Sequence, residues 1–210
     1  MRDKTHYPST LEEACGLMGS FMAKKEKVSV VYGDSEPDGL SAALSLKNLS
    51  GLSPADPSDN SIAFQCGAPI KKVAEAIRAS SIFSAAPFSL YDPGLAAGYL
   101  FTHTTLFSCA DLYGMTVMLP DGKTLRLGSR AFASVSGYQA MEIFLGTKNI
   151  IGIPVEYAFR LSPVAFEMQR DRYGTDLKAY ERQSGEEERK ILLTLKNIYD
   201  PTHLLNTAVL

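Results

Sequence analysis

Gly146-Thr147-Lys148-Asn149-Ile150-Ile151-Gly152-Ile153 is the stretch on which the reading of this chain turns. It lies between an apolar segment at 138–145, whose spacing predicts a helix, and a β-branched and aromatic run at 155–161 that predicts a strand. A connector between two such elements needs backbone freedom at its ends, which glycine supplies. Asn149 visits the left-handed region more readily than other non-glycine residues and can keep a turn there. The residues leave two readings open: glycines needed for backbone geometry alone, or a loop whose N–H groups approach a ligand closely.

Working outward toward the N-terminus, 112–119, the turn Pro120-Asp121-Gly122 and 124–127 carry a β-hairpin signal. Before them, 61–66 predicts a short strand, and Pro69 sits at a first helical position with Ile70, Val73, Ala74 and Ile77 along one apolar face. Pro54 and Pro57 among Ser and Asp residues mark a connection to an N-terminal lobe. That lobe opens with two capping pairs, Ser9 with Glu12 and Thr10 with Glu13, starting a helix that runs to about Lys24. A buried strand at 28–32 follows, ending at Gly33 and the polar turn Asp34-Ser35-Glu36-Pro37-Asp38-Gly39. On the C-terminal side, 164–188 turns charged and a last helix at 187–199 stops at Asp200-Pro201, since proline cannot continue it. The order predicts an α+β fold of mixed sheets flanked by helices, with an N-terminal lobe at 1–52, a second lobe at 53–163, and a linker plus returning helix at 164–210.

Composition narrows the function classes. The chain has 210 residues with 21 basic and 23 acidic side chains interspersed, net charge −2, so no basic stripe faces nucleic acid. The three cysteines, Cys15, Cys66 and Cys109, form no C-x-x-C pair, which argues against a disulfide framework or zinc knuckle and fits a reducing cytosol. No secretory h-region and no apolar run of about 20 residues stands in the chain, so a cytoplasmic protein without a membrane span is expected. His6, His103 and His203 lack metal-ligand spacing. The turn at 34–39 resembles the start of a calcium loop, but its twelfth position is Ser45 and a solvated turn is the better reading. His103, among Thr102, Thr104 and Thr105, reads as a hydrogen-bonded histidine before a ligand-facing one. Cys109, between Phe107 and Leu112, reads as a small buried hydrophobe, and Tyr138 as a packing residue.

Four stretches carry a resemblance to a known family. Tyr7-Pro8-Ser9-Thr10-Leu11-Glu12-Glu13 resembles the opening helix of the FAD-binding domain of FAD-linked oxidases, and Val30-Val31-Tyr32-Gly33-Asp34-Ser35-Glu36 resembles its strand and pyrophosphate loop. Leu119-Pro120-Asp121-Gly122-Lys123 with Val135-Ser136-Gly137-Tyr138-Gln139 is similar to the family's hairpin and Lys-Asn-Val-Ala-Gly-Tyr-Asp stretch. The opening octapeptide at 146–153 resembles Gly-Ser-x-Gly-Thr-Leu-Gly-Ile, and Asp200-Pro201-Thr202-His203-Leu204-Leu205-Asn206 looks like a terminal Asp-Pro-x-x-x-Leu-Asn-Pro in which Thr207 replaces proline. The order is most similar to that of the smaller FAD-binding subunit of glycolate oxidase.

The resemblance implies a two-lobed FAD-binding domain with flavin between the lobes. It places the cofactor against Gly33, Asp34, Ser35 and Gly39, against Gly94, Leu95, Ala96, Ala97 and Gly98, and against Gly146, Asn149, Gly152 and Ile153. It also implies an FAD-linked oxidoreductase component of the glycolate oxidase or 2-hydroxy acid dehydrogenase type. Only about 25 residues stand where the family carries its substrate domain, so a partner subunit, or self-association, would have to complete the site. Catalytic residues are not assigned by the resemblance, and no base–nucleophile constellation stands in that segment. Departures from the pattern are chemical. Asp34 and Glu36 stand where glycine and lysine are expected, and carboxylates repel a pyrophosphate. Ala96 and Ala97 stand in the Gly94–Gly98 stretch where the family has glycines, and Ala133, Ser134 and Gln139 replace its Lys, Asn and Asp. These favour an alternative: a cofactor-free relic of the same fold, structural or regulatory. A free-standing enzyme of unrelated chemistry in the same cleft has no supporting constellation.

Overall fold

The computed structural model describes residues 4–33, 42–128, 140–163 and 185–205. The polar turn at 34–39, the 133–139 stretch, residues 164–184 of the charged segment at 164–188, and the positions of Asn206 and Thr207 lie outside the described residues.

The N-terminal part of the chain builds a three-stranded parallel sheet. Strand β1 (Lys4–His6) leads into helix α1 (Leu11–Lys24), and strands β2 (Val28–Val31) and β3 (Ala42–Ser45) complete the order β1-β3-β2. Of the two capping pairs, Thr10 and Glu13 form: Thr10 Oγ1 accepts the Glu13 N–H at 3.1 Å, while Glu13 Oε2 accepts the Ser9 N–H at 2.8 Å. Ala14, Met18 and Phe21, spaced i, i+4, i+7, are the buried face of α1. The strand expected at 28–32 ends at Val31, and Tyr32 leaves the sheet at a bend.

A second, four-stranded antiparallel sheet, order β4-β7-β5-β6, is formed by β4 (Ser61–Gln65), β5 (Leu112–Met118), β6 (Thr124–Gly128) and β7 (Ile153–Arg160). The expected hairpin is present as β5–β6, and its turn holds Gly122 at φ 79°, where a side chain would be strained. Helices α2 (Ile70–Arg78), α3 (Ala86–Ser89) and α4 (Ala97–His103) cover the sheet's inner side. Between them lies an aromatic cluster of Phe64, Phe88, Phe101, Phe107, Tyr157 and Phe159; Phe101 stacks on Tyr157 at 4.4 Å and on Phe107 at 4.5 Å. The 94–98 stretch, expected as a loop throughout, is a loop only to Ala96: Ala97 and Gly98 begin α4. The helix expected at 138–145 is helical at 140–142 in its described part and turns from 143. The strand expected from 155 begins at Ile153.

Helix α5 (Glu186–Tyr199) returns to the body as expected. Past it, the Val28 N–H donates to the Leu204 carbonyl at 2.9 Å, and Leu205 pairs in parallel with Val28, so the tail extends the first sheet beside β2.

Candidate functional site

Three of the stretches expected to hold a cofactor meet at a seam where the end of β2, the start of α4 and the 146–152 loop come together, and a residue outside that expectation joins them. Tyr32, at the end of β2, is buried, and its phenol donates to Asn149 Oδ1 at 2.9 Å. Its ring lies against Gly98: a β-carbon built there would stand 2.5 Å from Tyr32 Cε1 and 2.8 Å from Cys66 Cβ. Burial pushes the Tyr32 phenol well above the ordinary tyrosine value; neighbouring Cys66 adds to this, and bonds with Thr102 and Asn149 act against it. The group therefore stays a neutral donor.

Around this contact, Thr102 Oγ1 donates to the Gly98 carbonyl at 2.7 Å and lies 2.8 Å from His103 Nδ1. The His103 ring stacks on Tyr99 at 4.3 Å and meets Tyr32 edge-on at 6.0 Å, which bears out the hydrogen-bonded, packed reading of this histidine. Asn149 has φ 62°, the left-handed turn its residue type suggested, and Lys148 before it has φ 51°. Asn149 is fully buried, and its Nδ2 has no hydrogen-bond acceptor among the described residues.

The expected cofactor residues divide by what their backbones do. Gly33 lies beside the seam with no described residue within 4 Å of where its β-carbon would stand, and its carbonyl accepts from Ser45 Oγ at 2.8 Å. Asp34, Ser35 and Gly39 lie outside the described residues. Gly94 is exposed and its N–H goes to Asp92 Oδ1 at 2.9 Å; the Leu95 N–H goes to the Asp92 carbonyl at 3.0 Å. The Ala97 N–H donates to the Ala68 carbonyl at 2.8 Å and the Gly98 N–H to the Cys66 carbonyl at 2.7 Å. Ala96 and Ala97 belong to the buried core, so their methyl groups pack against protein. The Gly146 N–H donates to the Phe101 carbonyl at 2.9 Å. Gly152 is glycine because a β-carbon would stand 2.9 Å from Val117 Cγ1, and Ile153 is buried at the head of β7.

A flavin needs room between the lobes and free N–H groups for its pyrophosphate. At this seam the described residues do not fit it: the Tyr32 ring lies against Gly98, and the N–H groups of Gly94, Leu95, Ala97, Gly98 and Gly146 are committed to protein oxygens. Sequence reasoning missed Tyr32, which reads as an ordinary strand residue, together with Cys66 and Thr102. Cys109 is half-buried, not buried as expected: its N–H donates to Glu142 Oε1 at 3.0 Å, and partial burial followed by that carboxylate pushes its thiol up to about 11. A groove of about 600 Å³ lies elsewhere, on the four-stranded sheet, with Gln65, Glu156, Thr116 and Arg126 in one register row across it. No group of His, Cys, Asp and Glu among the described residues could hold a metal.

No family model matches the sequence, and no curated protein does. Solved structures match it in shape. A 4-ethylphenol oxidase from Gulosibacter chungangensis, in complex with isoeugenol, aligns with a TM-score of 0.59 at 17% identity, over 76% of this chain and 34% of that one. Alkyldihydroxyacetonephosphate synthase aligns at 0.58 and 14% identity over 76% and 32%. A variant of berberine bridge enzyme in complex with (S)-reticuline aligns at 0.57 and 14% over 77% and 35%. The chain thus spans about a third of the length of these proteins, and at such identities the likeness establishes fold alone.

Proposed function

We propose, from the premise that this chain has the α+β fold of the FAD-linked oxidase superfamily, that it is a cofactor-free structural or regulatory partner of a flavoprotein oxidoreductase. The observation that carries this is Tyr32, which bonds to Asn149 and occupies the space beside Gly98 where the resemblance puts the cofactor. Asp34 and Glu36, in the adjoining turn of the sequence, add charge of the wrong sign for a pyrophosphate. Association with a second subunit, or self-association, is part of this reading. The even charge, the cysteine usage and the absence, among the described residues, of a helix long and apolar enough to cross a membrane support work in the cytoplasm.

A second reading is the flavin carrier itself, an FAD-binding subunit of the glycolate oxidase or 2-hydroxy acid dehydrogenase type that a partner completes. Two observations favour it: the buried Asn149 Nδ2 without an acceptor among the described residues, and the absence of any described residue within 4 Å of where a β-carbon of Gly33 would stand. A visible absorption spectrum of the purified protein, with thermal melts with and without added FAD, separates the two. The partner reading expects no flavin bands and an unchanged Tm. Flavin bands, or stabilisation approaching the roughly 2.7 kcal/mol produced by a ligand at 100 times its Kd, would replace it with the second reading.

A further inference from the structure

The C-terminal motif does more than end the chain. Lys196 in α5 is buried, and its ammonium spends all three N–H donors on protein: the Ile150 carbonyl at 3.0 Å, Asp200 Oδ2 at 2.9 Å and the Leu205 carbonyl at 2.8 Å. Asp200, also buried, accepts the Leu204 N–H at Oδ1 (2.8 Å) and the Leu205 N–H at Oδ2 (3.0 Å). One lysine therefore ties three places together: the last helix, the tail that pairs with β2, and the 146–152 loop. A buried ion pair gives little net stability over well-packed apolar residues, so its fixed geometry is the property to explain.

That geometry bears on the seam. Lys148 and Asn149 are consecutive non-glycine residues at positive φ, a backbone that persists only where its surroundings over-determine it. The Lys148 N–H is held by the Thr102 carbonyl at 2.7 Å, and the Ile150 carbonyl by Lys196. Asn149 sits between these two anchors, and from there it accepts the Tyr32 phenol. We propose that Lys196 is a positioning residue for the seam, and that the tail at 200–205 is a strap whose ion pair holds the 146–152 loop in the form that latches Tyr32. The inference rests on the seam's geometry and holds whichever way the flavin question falls.

Hydrogen exchange on the full chain tests it. Lys196→Met should speed exchange roughly tenfold or more at 146–152 and at Tyr32 and Gly33, while 61–66 in β4 keeps its wild-type protection. Leu192→Ala, which removes a buried apolar contact from the same helix and leaves the ion pair, should lower Tm without that selective change. Faster exchange confined to 186–205, or spread evenly over the chain, overturns the proposal. If Lys196→Met does not fold, the Lys196→Met/Asp200→Asn double variant, which removes the unpaired buried carboxylate, carries the same test. The wild type gives a further check: the amides of Lys148, Ile150, Leu204 and Leu205 should open in one event with one denaturant slope, and separate openings overturn the proposal.

Discussion

A β-carbon at Gly98 would stand 2.5 Å from an aromatic carbon of Tyr32, closer than non-bonded carbons approach, so the size of one residue is set by the other. Gly98→Ala should cost about 1–3 kcal/mol as overpacking, read as a lower urea midpoint at unchanged slope. Tyr32→Val in the same chain should recover part of that loss, giving a coupling energy in a double-mutant cycle. Additive losses would mean that the two residues do not share the space. Cys109 makes a second test at this scale. With its thiol held up to about 11 by partial burial and Glu142, it should resist alkylation at neutral pH and react only as the pH approaches that value. Both residues show why the site was only partly legible. A tyrosine at a strand's end and a cysteine among aromatics look the same in sequence wherever their side chains finally lie.

Among the elements, those with a periodic face or a side-chain cap were legible and those capped by distant backbone were not. Helix α1 announces itself through Thr10 and Glu13, and α2 through Ile70, Val73, Ala74 and Ile77. Helix α4 has no side-chain cap; its first N–H groups go to the carbonyls of Cys66 and Ala68, which only the fold brings there. Strand β3, Ala42–Ser45, is buried on both faces and shows no alternation, and β1 has only three residues. Phe101→Ala, which removes the centre of the aromatic cluster in α4, should cost about 3–5 kcal/mol in denaturant unfolding. The β5–β6 turn gives a pH test. Burial alone would raise the Asp121 carboxyl, but bonds from the Lys123 side chain and N–H outweigh it and hold the group below its ordinary value. Its small contribution is complete above the ordinary carboxylate range and is lost as pH falls through the lowered value. Asp121→Asn should remove that component from the acid limb of stability.

Among the described residues, long-range contacts that tie distant parts of the chain together include Tyr32 to Asn149, Val28 to the 204–205 tail, and Lys196 to Ile150. Burial raises the phenols of Tyr32 and Tyr157 and the thiol of Cys66, all near the first of these contacts. A raised value means that the native state keeps a proton which the unfolded chain releases. Stability from these groups is therefore complete below the ordinary thiol and phenol values of about 8.5 and 10 and is lost as pH climbs past them. The urea midpoint should fall over that range, and Tyr32→Phe should flatten the fall. A profile unchanged by Tyr32→Phe would contradict the burial of its hydroxyl.

The sequence alone determined the α+β class, the capped first helix, the strand–helix unit after Pro69, the hairpin and the stop at Asp200-Pro201. These follow from propensity, period and turn chemistry between residues close along the chain. It also carried the order of motifs that resembles the FAD-linked oxidases, and the fold observed resembles theirs. Only the tertiary structure decided what stands at the seam. Tyr32 and Asn149 are 117 residues apart, and Lys196 and Ile150 are 46 apart. Such pairs leave no local signal, because a phenol or an ammonium acquires its partner from the packing of distant elements and not from its neighbours in the chain.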